Sequence, residues 1–138
     1  MIAIIRIKGT IGIRKDIDET LYRMRLRRKY TCVVVNPNEN VMGMLKKIKN
    51  EVAYGEIKKE TFEKLVETRG KLIDKNKKTE LKKVSAEIIG GKTYEEANVK
   101  PFFRLHPPRK GINSKKHFPE GVLGNNKEKI NELIERML

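Results

Sequence analysis

The first 57 residues change hydrophobic period four times, and this constrains the fold more than any other feature of the chain. Ile2 to Ile7 is a short β-branched run that reads as a strand. Ile17, Leu21 and Met24 then recur at helical spacing, with Asp16 or Asp18 placed to cap a helix running to about Arg27. Tyr30 to Val35 is β-branched again. Asn36-Pro37-Asn38 breaks it and starts a second helix, capped by Asn36 with Glu39 or by Asn38 alone. Val41, Leu45, Ile48 and Val52 form the buried stripe of that helix, and Val52 to Ile57 closes the unit as a third strand. A β-α-β-α-β unit this short builds a two-layer α+β core, a small sheet with helices on one face. The pattern itself leaves parallel and split antiparallel arrangements both open.

From Lys58 the composition shifts. Lys59 to Arg69 reads as a helix with Phe62, Leu65 and Val66 inward and Gly70 as its stop. Leu72 to Lys83 is a lysine-rich exposed connection, and Leu81, Val84 and Ile88 keep helical period up to Gly90-Gly91. Thr93 and Glu96 have the spacing of a capping box. Asn125 or Asn126 caps a last helix whose apolar face, Ile130, Leu133, Ile134 and Met137, must dock on the core or on a partner. The expected division is a core over residues 1–57 and a helical extension over 58–138, with an extended basic arm at 104–124.

That arm begins Arg104-Leu105-His106-Pro107-Pro108-Arg109-Lys110-Gly111. Two adjacent prolines fix φ, remove two N–H donors and hold the residues before them extended. The backbone therefore displays Arg104, His106, Arg109 and Lys110 at set spacings, continuing through Lys115, Lys116 and His117, with no carboxylate between Arg104 and Pro119. Phe102, Phe103 and Phe118 flank the arm, placed either to pin it to the core or to stack on a base, and pinning is the favoured expectation.

Charge narrows the function. Lys and Arg number 32 against 18 Asp and Glu, a net +14, which suits nucleic acid or an anionic membrane surface. The longest apolar runs, such as Val33-Val34-Val35, are too short to span a bilayer, and Arg6 and Lys8 interrupt the apolar start, so no signal region is visible. Cys32 is alone, which excludes a disulfide framework and a zinc cluster and marks a buried small side chain. The reading is an intracellular, cytoplasmic, soluble protein without cofactor or metal.

Catalysis finds little footing. The turn Lys8-Gly9-Thr10-Ile11-Gly12 follows a strand but lacks the Gly-Lys-Ser/Thr ending of a phosphate loop; its N–H groups can still meet an RNA phosphate. Glu56, Glu60, Glu63 and Glu67 alternate with lysines and read as solvated pairs rather than a metal-dependent nuclease site. His106 suits a neutral hydrogen-bonder or a phosphate partner, since no neighbouring residue type completes a catalytic site. An RNA-recognition sheet of stacking aromatics is not supported, because Ile2 to Ile7 holds none.

Taken in order, several pieces resemble the L-thirty family of large-subunit ribosomal proteins, whose eukaryotic relative is called L-seven, in its longer archaeal form. They are Gly9 and Gly12 after the first strand, Thr20-Leu21, Arg27-Arg28-Lys29, Gly43-Met44, Ala53-Tyr54-Gly55, Arg104-Leu105-His106-Pro107-Pro108-Arg109, Gly121, and Leu123-Gly124-Asn125 before the closing helix. The resemblance implies a three-stranded antiparallel sheet of order 3-1-2, a relative of the ferredoxin-like fold. It implies no catalysis. Its implied partners are large-subunit rRNA, neighbouring ribosomal proteins and a position close to the 5S rRNA, with no membrane. Two positions depart from it: Met42 stands where an arginine is expected, and Lys110 where a glycine is expected.

Two RNA-binding surfaces are expected. One joins Arg25, Arg27, Arg28 and Lys29 to Lys8, Arg14 and Lys15; the other is the arm, with Arg104, His106, Arg109, Lys110, Lys115 and Lys116. Lysine and arginine neutralise phosphates and release counterions, and arginine adds a planar fork. The alternative is a free-standing DNA-binding or chromatin-like protein, which the same charge permits.

Overall fold

The first strand, β1 (Ile2–Arg6), is apolar on both of its faces, and the architecture follows from that. Successive strand residues point to opposite sides of a sheet. Ile2 and Ile4 accordingly join one buried cluster, while Ala3 and Ile5 join another. The computed structural model, which describes residues 1–138, covers the two sides with different parts of the chain. On one side α1 (Lys15–Arg23) and α2 (Glu39–Ile48) pack Leu21, Leu45 and Ile48 against Ile2 and Ile4. On the other, α3 (Lys59–Arg69), α4 (Leu81–Ile89) and α5 (Ile130–Met137) bring Phe62, Leu65, Val84, Ile130 and Ile134 onto Ala3 and Ile5. The expected two-layer arrangement is thus corrected to three layers. The apolar face of α5 docks on this chain's own core, with Ile130, Ile134 and Met137 fully buried.

The other strands are β2 (Thr31–Val35), β3 (Val52–Glu56), β4 (Phe103–Arg104) and β5 (Gly124–Asn125), and the sheet order is β4-β2-β1-β3-β5. In its middle, β1 runs antiparallel to β2, with Ile2 opposite Val35, and to β3, with Ile2 opposite Glu56. β4 adds antiparallel to β2, Arg104 facing Thr31, and β5 adds parallel to β3, Gly124 facing Ala53. The three-stranded antiparallel sheet expected from the resemblance is therefore a mixed sheet of five strands. The two added strands are two residues long each, too short to carry an alternating pattern, and tertiary docking alone sets their pairing.

Local signals place some of the element ends. Asn38 Oδ1 accepts from the Val41 N–H at 2.8 Å, opening α2, and Gly70 ends α3. Thr93 and Glu96 form a reciprocal capping box, with Thr93 N–H to Glu96 at 3.1 Å and Glu96 N–H to Thr93 Oγ1 at 3.3 Å. Asn125 Oδ1 accepts from the Lys127 N–H at 2.9 Å and opens a 3₁₀ turn (Lys127–Lys129) leading into α5. Asn126 holds the N-cap position of that turn but makes no side-chain cap bond: it is buried, and its amide donates to the carbonyls of Val122 (2.6 Å) and Gly124 (3.1 Å).

Cys32 is fully buried, and burial pushes its thiol up to about 12. No helix is long and apolar enough to cross a membrane.

β3 meets the 3₁₀ turn at one crowded point. A Cβ on Gly55 would lie 2.2 Å from the Lys127 carbonyl oxygen and 3.0 Å from the Ile130 side chain. Gly55→Ala is expected to destabilise by roughly 2–3 kcal/mol, because backbone on both sides must part. Urea unfolding measures this, and a loss below ~1 kcal/mol would mean that the turn shifts freely.

Candidate nucleic-acid interface

Arg6 organises the first basic surface, although it is itself only 1% exposed. Its Nη1 donates to the Leu26 carbonyl at 2.7 Å, its Nε to the Lys8 carbonyl at 3.0 Å and its Nη2 to the Gly9 carbonyl at 3.2 Å, with Asp18 at 3.8 Å. Burial pulls its pKa below the usual value, and the carboxylates of Asp18 and Glu51 act in the opposite sense. A guanidinium remains charged through such a shift. One buried fork thus ties the glycine turn bearing Lys8 to the turn bearing Arg25, Arg27, Arg28 and Lys29. The sequence reading missed this role; its signal was a single charge between Ile5 and Ile7 in an otherwise apolar strand.

α1 ends at Arg23, short of the Arg27 expected from its stripe. The Leu26 N–H donates to the Leu21 carbonyl at 2.9 Å and the Arg25 N–H to the Tyr22 carbonyl at 3.0 Å, a Schellman closure sealed by buried Leu21 and Leu26. The closure needs a left-handed residue, usually glycine; here it is Arg25, at φ 63°. The basic residues therefore sit on the turn beyond the helix, where the dipole explains less of their number. Arg25, Arg27, Arg28 and Lys29 are all exposed. Arg27 lies over the Tyr22 ring at 4.2 Å and Lys29 over Tyr30 at 5.0 Å. Stacking steadies the Arg27 guanidinium and leaves its N–H edge open to a phosphate.

Arg25→Gly is expected to raise stability by about 1 kcal/mol, since it relieves a left-handed backbone at a position made for glycine. Denaturant unfolding checks this; a loss instead would mean that the arginine side chain stabilises the turn.

At the start of α1, Arg14 is the N-cap residue and Lys15 the first helical residue, both exposed. Two cations oppose the dipole there, and Asp16 and Asp18 in the first turn offset them. Arg14 pairs with Asp16 at 3.2 Å, but its side chain is 78% exposed, so the pair stabilises little. Lys8 is half-buried.

The arm does not project freely. β4 sits in the sheet, the Leu105 N–H donates to the Tyr30 carbonyl at 3.0 Å, and the His106 and Arg109 N–H groups donate to the carbonyls of Met137 (2.9 Å) and Arg136 (3.1 Å). The Arg136 guanidinium returns to the carbonyls of Arg109, at 2.8 and 3.0 Å, and Gly111. Phe103 is fully buried and meets Tyr94 edge-on at 6.3 Å, whereas Phe102 and Phe118 are half-buried. Arg104, His106, Arg109 and Lys110 remain exposed along this docked strand. Lys110 adopts φ 64°, which gives a physical reason for expecting glycine there.

The sheet order divides the arm's cations. Arg104 lies on the β4 edge, joined to Thr31 and hence to the turn with Arg25 and Arg27. Lys115 and Lys116 belong to a loop tied to the β5 end, where the Leu123 N–H donates to the Lys116 carbonyl at 3.3 Å. Four strand spacings of about 4.8 Å, roughly 19 Å in all, separate the two edges. Lys116 is also partly neutralised by Glu120 at 3.5 Å. The structure thus brings Arg25, Arg27 and Arg104 around one cleft of about 220 Å³ and leaves Lys115 and Lys116 apart from it.

The acidic residues do not converge: Glu56 ends β3, Glu67 faces Lys82 at 3.5 Å, and no group of three acidic, histidine or cysteine side chains could hold a metal ion.

Comparison with known proteins gives this arrangement a lineage. The sequence pattern of the family described as Ribosomal protein L30p/L7e matches residues 2–52, which span β1 through α2 and the start of β3. Three archaeal relatives, each named large ribosomal subunit protein uL30, extend the match to the whole chain. Identity is 39% with the protein of Archaeoglobus fulgidus, over 99% of both chains. It is 38% with that of Methanococcus maripaludis, over 99% of this chain and 98% of the relative, and 41% with that of Methanosphaera stadtmanae, over 100% of both. Identity at this level over essentially the whole chain means that the chain belongs to the L30p/L7e family of ribosomal proteins.

Proposed function

We propose that the chain is a structural constituent of the large ribosomal subunit, that it binds and stabilises folded large-subunit rRNA through its basic surfaces, and that it carries out no reaction. The observation that carries this reading is the turn after α1. Four exposed cations, Arg25, Arg27, Arg28 and Lys29, stand together with none of them in an ion pair, on a backbone held by the buried Arg6. Unpaired, pre-positioned cations suit a polyanion that supplies the missing charge. Folded RNA is read largely through backbone shape and unpaired bases, which a rigid basic surface fits.

The contact residues are Lys8, Arg14, Lys15, Arg25, Arg27, Arg28 and Lys29 on one surface and Arg104, His106, Arg109, Lys110, Lys115 and Lys116 along the arm. Residues 1–57 act as the RNA-binding core and 58–138 as an extension that braces it; the family match ending at residue 52 supports this division. The core belongs to the ferredoxin-like relatives, which the antiparallel β2-β1-β3 centre supports. The remaining partners are neighbouring ribosomal proteins and, by family resemblance, the nearby 5S rRNA, and the site of action is the cytoplasmic ribosome. A free-standing DNA-binding role has no observation in its favour.

Cosedimentation of a tagged copy with large subunits through a sucrose gradient tests the proposal. Recovery in the large-subunit peak at physiological salt is the expected result, and recovery only at the top of the gradient would overturn it.

A further inference from the structure

The cleft where the two surfaces meet has a composition that phosphate binding does not explain. Arg25, Arg27 and Arg104 line it, yet a carboxylate, Glu95, lines it as well. None of these four groups forms an ion pair. A carboxylate repels a phosphate, so that wall favours a ligand that offers hydrogen-bond donors. Thr31, Ile73, Pro101 and Phe102 complete its lining. Phe102 is half-buried beneath the Arg104 guanidinium, 5.6 Å from its centre, and Ile73 stands 49% exposed beside it. Ile73 is held there: its N–H donates to the Asn98 carbonyl at 3.1 Å, while the Asn98 side chain accepts from the Asp74 N–H at 2.9 Å and donates to Thr79 at 3.2 Å. At about 220 Å³ the cleft is smaller than pockets of roughly 300–1,000 Å³ that take drug-sized ligands, and it has room for one base.

We propose that this cleft receives a single unpaired guanine of the bound RNA, its ring stacked on the Arg104–Phe102 pair, its Watson–Crick edge on Glu95 and its flanking phosphates on Arg25 and Arg27. Unpaired bases are read by stacking on aromatic rings or guanidinium planes and by hydrogen bonds to their exposed edges. Guanine alone presents two adjacent donors on its Watson–Crick edge, matching the two oxygens of a carboxylate. Adenine and cytosine each offer a donor beside an acceptor, and uracil a single donor between two acceptors. Arg25 fits the same reading, since the cation stands on a left-handed backbone that glycine would adopt without strain.

The inference rests on the proposed RNA-binding role, and the experiment separates the two. The full-length isotopically labelled chain is titrated with GMP, AMP, CMP and UMP at low salt and followed by amide chemical shifts. GMP should bind about tenfold more tightly than AMP and shift the amides of Arg25, Thr31, Phe102 and Arg104. Glu95→Gln, whose amide offers one donor and one acceptor, should abolish or invert that preference. Phe102→Ala should weaken all four nucleotides. In parallel, Glu95→Gln should lower affinity for large-subunit rRNA about tenfold without changing its salt dependence. Equal binding of the four nucleotides, or shifts confined to other surfaces, overturns the guanine pocket. Wild-type chain that fails to bind rRNA overturns the RNA-binding role instead, whatever the nucleotides show.

Discussion

Replacing Arg6 with alanine is expected to cost about 3–5 kcal/mol of folding stability, the largest effect of any single substitution in the chain. The guanidinium donates to three backbone carbonyls, those of Leu26, Lys8 and Gly9. A hydrogen bond from a charged donor contributes roughly 1.5–3 kcal/mol, and a buried carbonyl left without a partner adds its own desolvation penalty. Truncation also empties the space of a long side chain that is 1% exposed. Against a typical total of ~5–15 kcal/mol, such a loss is a large fraction. At a slope near 2 kcal/mol/M it would lower the urea midpoint by about 2 M. Arg6→Lys should recover only part, because one ammonium cannot reproduce the planar fork. A drop under ~1 kcal/mol for the alanine variant would mean that water reaches these carbonyls and that Arg6 does not hold the two turns together.

The second large effect is on binding. The double substitution Arg27→Ala with Arg28→Ala should leave the fold intact, because both side chains are exposed. Arg27 loses only its contact with Tyr22 at 4.2 Å, worth ~0.5–1 kcal/mol at an exposed site. Two phosphate contacts removed should make the slope of log affinity against log salt shallower by about 1.4–1.8. At ~0.15 M salt the same counterion argument gives a loss of roughly 15–30-fold in affinity for large-subunit rRNA. Filter binding over a salt series measures both quantities. An unchanged slope with reduced affinity would mean that these arginines act by shaping the turn rather than by meeting phosphates.

These two predictions come from different levels of legibility. The exposed arginines could be read from the sequence, because a run of cations without acidic neighbours is visible without a fold. Arg6 showed in the sequence only as a lone charge in an apolar strand, since its importance lies in carbonyls 20 positions away at Leu26 and close by at Lys8 and Gly9. Elements with a local cause were legible to within a residue or two. α3 has its periodic stripe and Gly70, the Thr93–Glu96 turn has its box, and α2 has Asn38. Misreadings arose where a tertiary cause wins. α1 stops early because Arg25 accepts a left-handed backbone that no sequence rule assigns to arginine. β4 and β5 exist because the arm docks on opposite edges of the sheet. The third layer was implicit in a first strand apolar at every position from Ile2 to Ile5, which alternation rules for a half-exposed sheet do not fit. The candidate site was half legible: its cations were visible, but the meeting of Arg25, Arg27 and Arg104 with Glu95 depends on the β2–β4 pairing.

The central claim is that this chain's surplus of cations answers the charge and shape of a folded RNA. Its most direct test is the equilibrium affinity of the wild-type chain for deproteinised large-subunit rRNA and for duplex DNA at one physiological salt concentration. The account predicts binding to the rRNA about a hundredfold tighter or more, with strong salt dependence. Equal affinity for both polymers would contradict it.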